Sequence, residues 1–343
     1  MGEAPGRGPG ERPEGTPLYV HLPYCAAKCP YCDFFSVARA GNAGGDVEET
    51  IDALLAEARL RAPRRPRTVF VGGGTPSFLS ARQLARLLDG LDALTGFRDS
   101  AEEVTAECNP ESLDVDKARA LLDLGVDRLS IGFQSLDESV LALFGRVHTA
   151  HRALAAFEAA RRAGARRLNV DLIYAAPGLT TERWAADLER VLDLGPEHLS
   201  AYGLTFEDGT AFGRLHATGR MDAVPEEVEL EQAARARGLA RERGLEPYEV
   251  SNYSRTGEEC RHNVNYWRNG PYVGLGPSAA SKAGDTRCGN ERSVDAWKRA
   301  VGAGRPAAAW TETLPPRARL GETWWLGLRL AAGVEPGEAL RTA

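Results

Sequence analysis

Three cysteines stand close together near the start of the chain, in Tyr19-Val20-His21-Leu22-Pro23-Tyr24-Cys25-Ala26-Ala27-Lys28-Cys29-Pro30-Tyr31-Cys32-Asp33-Phe34. Three residues and then two separate them, so Cys25, Cys29 and Cys32 can converge on one small volume. Three thiolates suit a soft metal centre, and iron–sulfur clusters are held by cysteine thiolates. Four cysteines would saturate a four-iron cluster. Three leave one iron open to another ligand, by the logic that leaves a catalytic zinc one protein ligand short. Zinc is the alternative, although zinc ribbons bring cysteines in two pairs and no second pair follows. An odd trio cannot pair internally as disulfides.

This stretch resembles the radical S-adenosylmethionine (radical SAM) superfamily. The resemblance implies a [4Fe–4S] cluster whose open iron binds the amino and carboxylate groups of SAM, and whose electron cleaves SAM to a deoxyadenosyl radical. Gly72-Gly73-Gly74-Thr75-Pro76-Ser77 is by itself a tight-turn signal. By resemblance, Gly73, Gly74 and Thr75 hold the methionine amino group, since absent side chains let backbone carbonyls approach an ammonium. Glu107 ends an apolar run, Val104-Thr105-Ala106-Glu107-Cys108. It reads as a helix-cap partner on its own and as a ribose hydroxyl acceptor by resemblance. Gln134 and Asp171 resemble further SAM contacts, and Arg146 an arginine that helps hold the SAM carboxylate, with an ordinary surface arginine the alternative. Tyr19 and Tyr31 match positions that line the adenosyl pocket, with simple packing the alternative for Tyr31.

Leu18 to Cys25, Gly72 to Ser77 and Asp171-Leu172-Ile173-Tyr174-Ala175-Ala176-Pro177-Gly178 together resemble the oxygen-independent coproporphyrinogen III oxidase branch. Its dehydrogenases carry a fourth cysteine two residues after the third, where this chain has Phe34. The Cys-Asp-Phe ending resembles the haem chaperone group of that branch instead. Cys260-Arg261-His262-Asn263-Val264-Asn265-Tyr266-Trp267 matches that group's H-N-x-x-Y-W motif, which implies haem at His262, Asn263, Tyr266 and Trp267. Imidazole is a common axial ligand of haem iron. A histidine between aromatic residues also serves as a hydrogen-bonded packing group, and both readings stand. Cys260 and Cys288 could assist or behave as small buried hydrophobes, and Cys108 reads as core.

The resemblance thus implies a haem chaperone carrying a [4Fe–4S] cluster, SAM and haem. Its partners would be a haem acceptor, such as a respiratory haem protein, and an electron donor such as flavodoxin or ferredoxin. Two alternatives stand beside it. One is radical oxidative decarboxylation of coproporphyrinogen III; the other is a different radical SAM oxidoreductase using the same pocket.

The elements that must position these groups follow a regular rhythm. Apolar runs at 18–22, 68–71, 104–108, 128–132, 168–174 and 198–204 read as strands. Helical periodicity fills the intervals at 47–60, 80–94, 114–124, 138–144, 150–163 and 181–194. Strands alternating with amphipathic helices mean βαβ units and a parallel sheet. Six units are too few for an eight-fold barrel, so the fold class expected is α/β, a partial (β/α)6 TIM-like barrel of the radical SAM type. Chemistry then belongs at the C-terminal ends of the strands.

That barrel is expected over 17–224. Residues 225–343 read as an α+β extension carrying the H-N-x-x-Y-W block, with a long charged helix over 225–243, a further strand within 245–253, and a helical domain shortened relative to the family. Residues 1–16, rich in Gly, Pro, Glu and Arg, cannot bury enough surface to order and read as a disordered tail. A net charge of −6 over 343 residues, with dispersed basic side chains, argues against a nucleic-acid surface. No apolar run is long enough to cross a bilayer, and the N-terminus lacks the apolar core of a secretory signal. Six cysteines in a chain this size point to a reducing compartment, so a cytoplasmic location is expected.

Overall fold

The computed structural model describes residues 14–38 and 44–342. Most of the expected N-terminal tail lies outside the described residues. Within it, Gly15 N–H donates to Arg64 O at 3.0 Å.

The six expected strands form: β1 (Leu18–Leu22), β4 (Thr68–Gly73), β5 (Glu103–Cys108), β6 (Arg128–Gln134), β7 (Arg167–Tyr174) and β8 (His198–Gly203). Between β1 and the first crossover helix lies a two-residue pairing of β2 (Tyr24–Cys25) with β3 (Val37–Ala38), across the cysteine loop. The six pair in parallel and in sequence order. Each crossover is helical: α1 (Gly44–Arg61), α2 (Ala81–Thr95), α3 (Val115–Asp123), the pair α4 (Glu138–Leu143) and α5 (Ala150–Ala163), and α6 (Thr181–Asp193). Local chemistry explains the boundaries. Ser80 and Gln83 close a reciprocal capping box at the start of α2, and Gly96 ends it in the left-handed region.

The sheet extends beyond the six strands. After α7 (Ala211–Ala217) and α8 (Glu226–Glu242), the short β9 (Glu246–Pro247) and β10 (Asn252–Ser254) add antiparallel to β8. These replace the single strand expected over 245–253, because the backbone turns between them. At the opposite edge β11 (Val273–Leu275) runs parallel to β1. The result is a nine-stranded sheet, β11-β1-β4-β5-β6-β7-β8-β10-β9. Strand parity divides it. Leu18, Val20, Val69, Val71, Leu129 and Val170 are buried apolar residues, whereas the alternate positions carry most of the polar groups, among them Tyr19, Glu103, Glu107, Ser130 and Asp171.

The remaining elements are α9 (Arg261–Trp267), the antiparallel sheet β12 (Ala280–Ala283), β13 (Thr286–Asn290) and β14 (Ala308–Thr313), and the helices α10 (Val294–Gly302), α11 (Pro316–Gly327) and α12 (Pro336–Thr342). One buried carboxylate ties this part to the barrel. Glu57, on α1, accepts from Gly276 N–H (2.8 Å), Asn290 Nδ2 (2.8 Å) and Trp297 Nε1 (2.9 Å), with Arg61 at 3.3 Å. Replacing it by alanine strands three buried donors. Glu57→Ala is expected to lower unfolding free energy by about 3 kcal/mol; a urea midpoint within error of the parent would refute that role.

Candidate functional site

The cysteine loop leaves the C-terminal end of β1 and is held from both sides. His21 donates from Nε2 to Phe35 O (2.8 Å) and accepts from Tyr19 Oη at Nδ1 (3.0 Å). Burial pushes its pKa down to about 4, so the ring stays neutral and keeps this tautomer. Lys28 Nζ donates to Phe34 O and to Ser36 Oγ, closing the loop on itself. Tyr31 packs on Phe144 and Phe212, with ring centroids 4.9 and 6.3 Å away. Burial raises the pKa of the Cys25 and Cys32 thiols, against hydrogen bonds and the Lys28 charge. Both are therefore protonated at neutral pH until a metal displaces the proton.

The glycine run docks directly on this loop. Gly74 N–H donates to Leu22 O and Thr75 N–H to Tyr24 O, both at 2.7 Å. A Cβ at Gly74 would stand 2.6 Å from Tyr24 O, and one at Gly73 would strike the His21 ring. Gly73 also has φ +103°, which side chains resist. Beside it, Gly73 N–H donates to Glu107 Oε2 (3.0 Å). Burial and the Asp171 charge push the Glu107 pKa up to about 7.

A polar relay then joins two of the cysteines. Arg146 donates to Cys29 Sγ (3.4 Å), Asn109 Oδ1 (2.7 Å) and Gly132 O (3.2 Å). Asn109 Nδ2 donates to Thr75 Oγ1 (2.8 Å), which donates to Cys25 Sγ (3.4 Å). Gln134 sits at a bulge closing β6, with φ +68°, and its side chain folds over Gly132. Asp171 accepts from Ser130 Oγ and Asn169 Nδ2, each at 2.8 Å. The strand ends therefore bring the cysteines, Gly73, Gly74, Thr75, Glu107, Gln134, Arg146 and Asp171 to one mouth. Sequence reasoning missed Asn109; the available signal was a polar residue immediately beyond β5, two residues after Glu107.

The H-N-x-x-Y-W block lies elsewhere. It forms α9, whose first N–H groups, at Arg261 (3.0 Å) and His262 (3.1 Å), donate to Glu103 at the opposite end of β5. His262 is fully buried. Its Nδ1 pairs with Thr68 Oγ1 (2.8 Å) and its Nε2 with Tyr266 Oη (2.9 Å). Burial lowers its pKa to about 4. Neither ring nitrogen is free to bind iron in this conformation, so haem ligation by His262 would first break the bond at the ligating nitrogen. Tyr266 and Trp267 instead line a cavity of about 390 Å³ with Tyr272, Lys282, Arg287 and Trp325, and Tyr19, expected at the adenosyl pocket, lines this cavity too.

The residues at the mouth fit the cluster and SAM implied by the motif. Among the described residues no three donors converge on a single metal ion. A four-iron cluster needs no such convergence, since its cysteines bind different irons. The side-chain-free stretch at Gly73–Gly74 and the Arg146 Nε, buried without a hydrogen-bond partner among the described residues, suit an amino group and a carboxylate.

Residues 19–191 match the family model of the radical SAM superfamily. Heme chaperone HemW of Escherichia coli is 38% identical over 268 residues, covering 77% of this chain and 69% of that protein. Heme chaperone HemW of Bacillus subtilis is 33% identical over 92% of this chain and 84% of its own length. The solved structure of coproporphyrinogen III oxidase (HemN) from Escherichia coli, a radical SAM enzyme, superposes with a TM-score of 0.80 at 23% identity. It covers 94% of this chain and 76% of that one, and shares the fold. The chain belongs to the radical SAM superfamily and, within it, to the family of these HemW proteins. No helix among the described residues is long and apolar enough to cross a membrane.

Two variants test the site's physics. Native Glu107 keeps a proton that the unfolded chain releases near pH 4.5, so stability falls as pH rises from 4.5 to about 7. Glu107→Gln keeps an acceptor for Gly73 N–H. It is expected to stabilise the metal-free protein by about 1–2 kcal/mol at pH 8 and by little at pH 5; equal gains at both pH values would exclude the titration. His262→Ala should cost about 1–3 kcal/mol by orphaning Thr68 and Tyr266, measured by thermal unfolding with the iron–sulfur absorbance as a control. An unchanged midpoint would count against its structural role.

Proposed function

We propose that this protein is a haem chaperone on a radical SAM scaffold, binding haem and a SAM-liganded [4Fe–4S] cluster and passing haem to an acceptor protein. The observation that carries the reading is the three-cysteine loop itself. Its next position toward solvent is Phe34, 69% exposed, where the dehydrogenase branch has a fourth thiol. Cys25, Cys29 and Cys32 would hold the cluster. Gly73, Gly74 and Thr75 would seat the SAM amino group, Arg146 its carboxylate and Glu107 its ribose. Gln134, Asp171, Tyr19 and Tyr31 would complete the pocket. Bound together, cluster and SAM supply one-electron chemistry. The chain's own contribution is positional: Asn109 and Thr75 orient Arg146 and Cys25, and the His21–Phe35 bond fixes the loop on β1.

The haem reading draws support from the HemW relatives and from the aromatic cavity beside Tyr266 and Trp267. A haem acceptor and an electron donor such as flavodoxin or ferredoxin would be its partners, and the cytoplasm its location. Anaerobic haem titration of the cluster-loaded protein should give one saturable visible band, and the same preparation should leave coproporphyrinogen III unchanged. Turnover of coproporphyrinogen without saturable haem binding would transfer the assignment to the oxidase.

A further inference from the structure

The cavity beside α9 has a construction that the SAM site does not explain. Its walls are aromatic: Tyr266 and Tyr272 meet edge to face at 4.7 Å, and Trp267 and Trp325 also line it. Its polar end is cationic. Lys282, only 7% exposed, and Arg287 project from β12 and β13. They share one carboxylate, Glu322 of α11, which pairs with Arg287 and lies 3.7 Å from Lys282, while Lys282 Nζ also donates to Asn269 O at 2.8 Å and to Asn269 Oδ1. Arg287 is also paired with Glu312, at 2.7 Å. The pairing is incomplete. Trp267 Nε1 and Arg287 Nε are buried without hydrogen-bond partners among the described residues, and Glu322 Oε2 has only the long Lys282 ion pair. Buried polar groups in a folded protein are ordinarily satisfied, so three at one cavity mark a place shaped for something else.

We infer that this cavity takes the carboxylate-bearing edge of a flat aromatic macrocycle, a propionate of haem, at Lys282 and Arg287, in exchange for Glu322. The inference rests on the haem-chaperone reading and names the seat within it. With the Glu322 side chain turned out to solvent the exchange is electrostatically even, because one carboxylate replaces another at the same two cations and no charge is left buried alone. About 390 Å³ is at the low end for small-molecule pockets, so it houses an edge rather than a whole porphyrin. The macrocycle continues outward over Trp325 and Leu328, which are 69% and 65% exposed on α11 and at its end. That helix is the movable wall. Its polar ties to α9 and β12–β13 are the Glu322 pairs, Arg319 with Asp285 at 3.7 Å, and Asn269 Nδ2 donating to Thr323 Oγ1 at 2.9 Å.

Haem and its dimethyl ester, in which both propionates are blocked, are titrated into cluster-loaded full-length protein. Arg287→Gln and Glu322→Gln are compared with the parent, and iron–sulfur absorbance and thermal midpoint serve as folding controls. Arg287→Gln should weaken haem at least tenfold, and the ester should bind the parent as weakly as haem binds that variant. Glu322→Gln should tighten haem severalfold by removing the competing carboxylate, a gain that damage to the fold cannot imitate. Equal affinity for haem and ester, with no change in either variant, would overturn the seat while leaving haem binding intact. No saturable haem binding by the parent would overturn both this inference and the reading beneath it.

Discussion

The arrangement at the mouth depends on how closely two backbones approach. The glycine run lies against the strand that feeds the cysteine loop, with amides of Gly74 and Thr75 bonded to carbonyls of Leu22 and Tyr24. Any Cβ in that seam would collide with backbone or with His21. Because the seam is side-chain-free, Glu107 can reach across to the Gly73 amide and Thr75 can reach Cys25. The Arg146–Asn109 relay is then anchored to the same point. Loosen the seam and the relay loses its fixed end.

The other end of the barrel is organised by charge. Burial pushes the Glu103 carboxyl up, but Arg128, the amides of Arg261 and His262, and Arg167 outweigh it and hold the pKa below its ordinary value. The carboxylate therefore stays ionised inside the fold and clamps the start of α9. The H-N-x-x-Y-W helix is thus fixed to the barrel through β4 and β5, while its far end faces the aromatic cavity. One helix serves both as part of the barrel and as a wall of a second site.

Much of this was legible in the sequence. Apolar runs and helical periods located all six core strands, because each strand carries an apolar face within the core and turns are marked by glycine or capping residues. The cysteines, glycines and Glu107 could be placed because short spacing and strand-end position constrain them. What could not be read depends on contacts between distant segments. Asn109 acquires its role from Arg146 and Thr75, thirty-odd residues away on either side. His262 looked like an available imidazole because nothing local reveals Thr68 as its partner. The strand at Val273–Leu275 carries no stronger signal than a loop; only its pairing with β1 defines it.

That last pairing has a consequence for synthesis. Leu18 lies between Val69 on one side and Val273 on the other, and Arg61 reaches from α1 to Gly274 O and Ser281 Oγ. The strand that presents the cysteines thus stays an open sheet edge until residues near 273 have left the ribosome. Non-local pairing of this kind is slow and leaves unpaired edges exposed. The thiols are accordingly displayed early but framed late, and metal delivered to the nascent chain would meet a loop that is not yet held on both flanks.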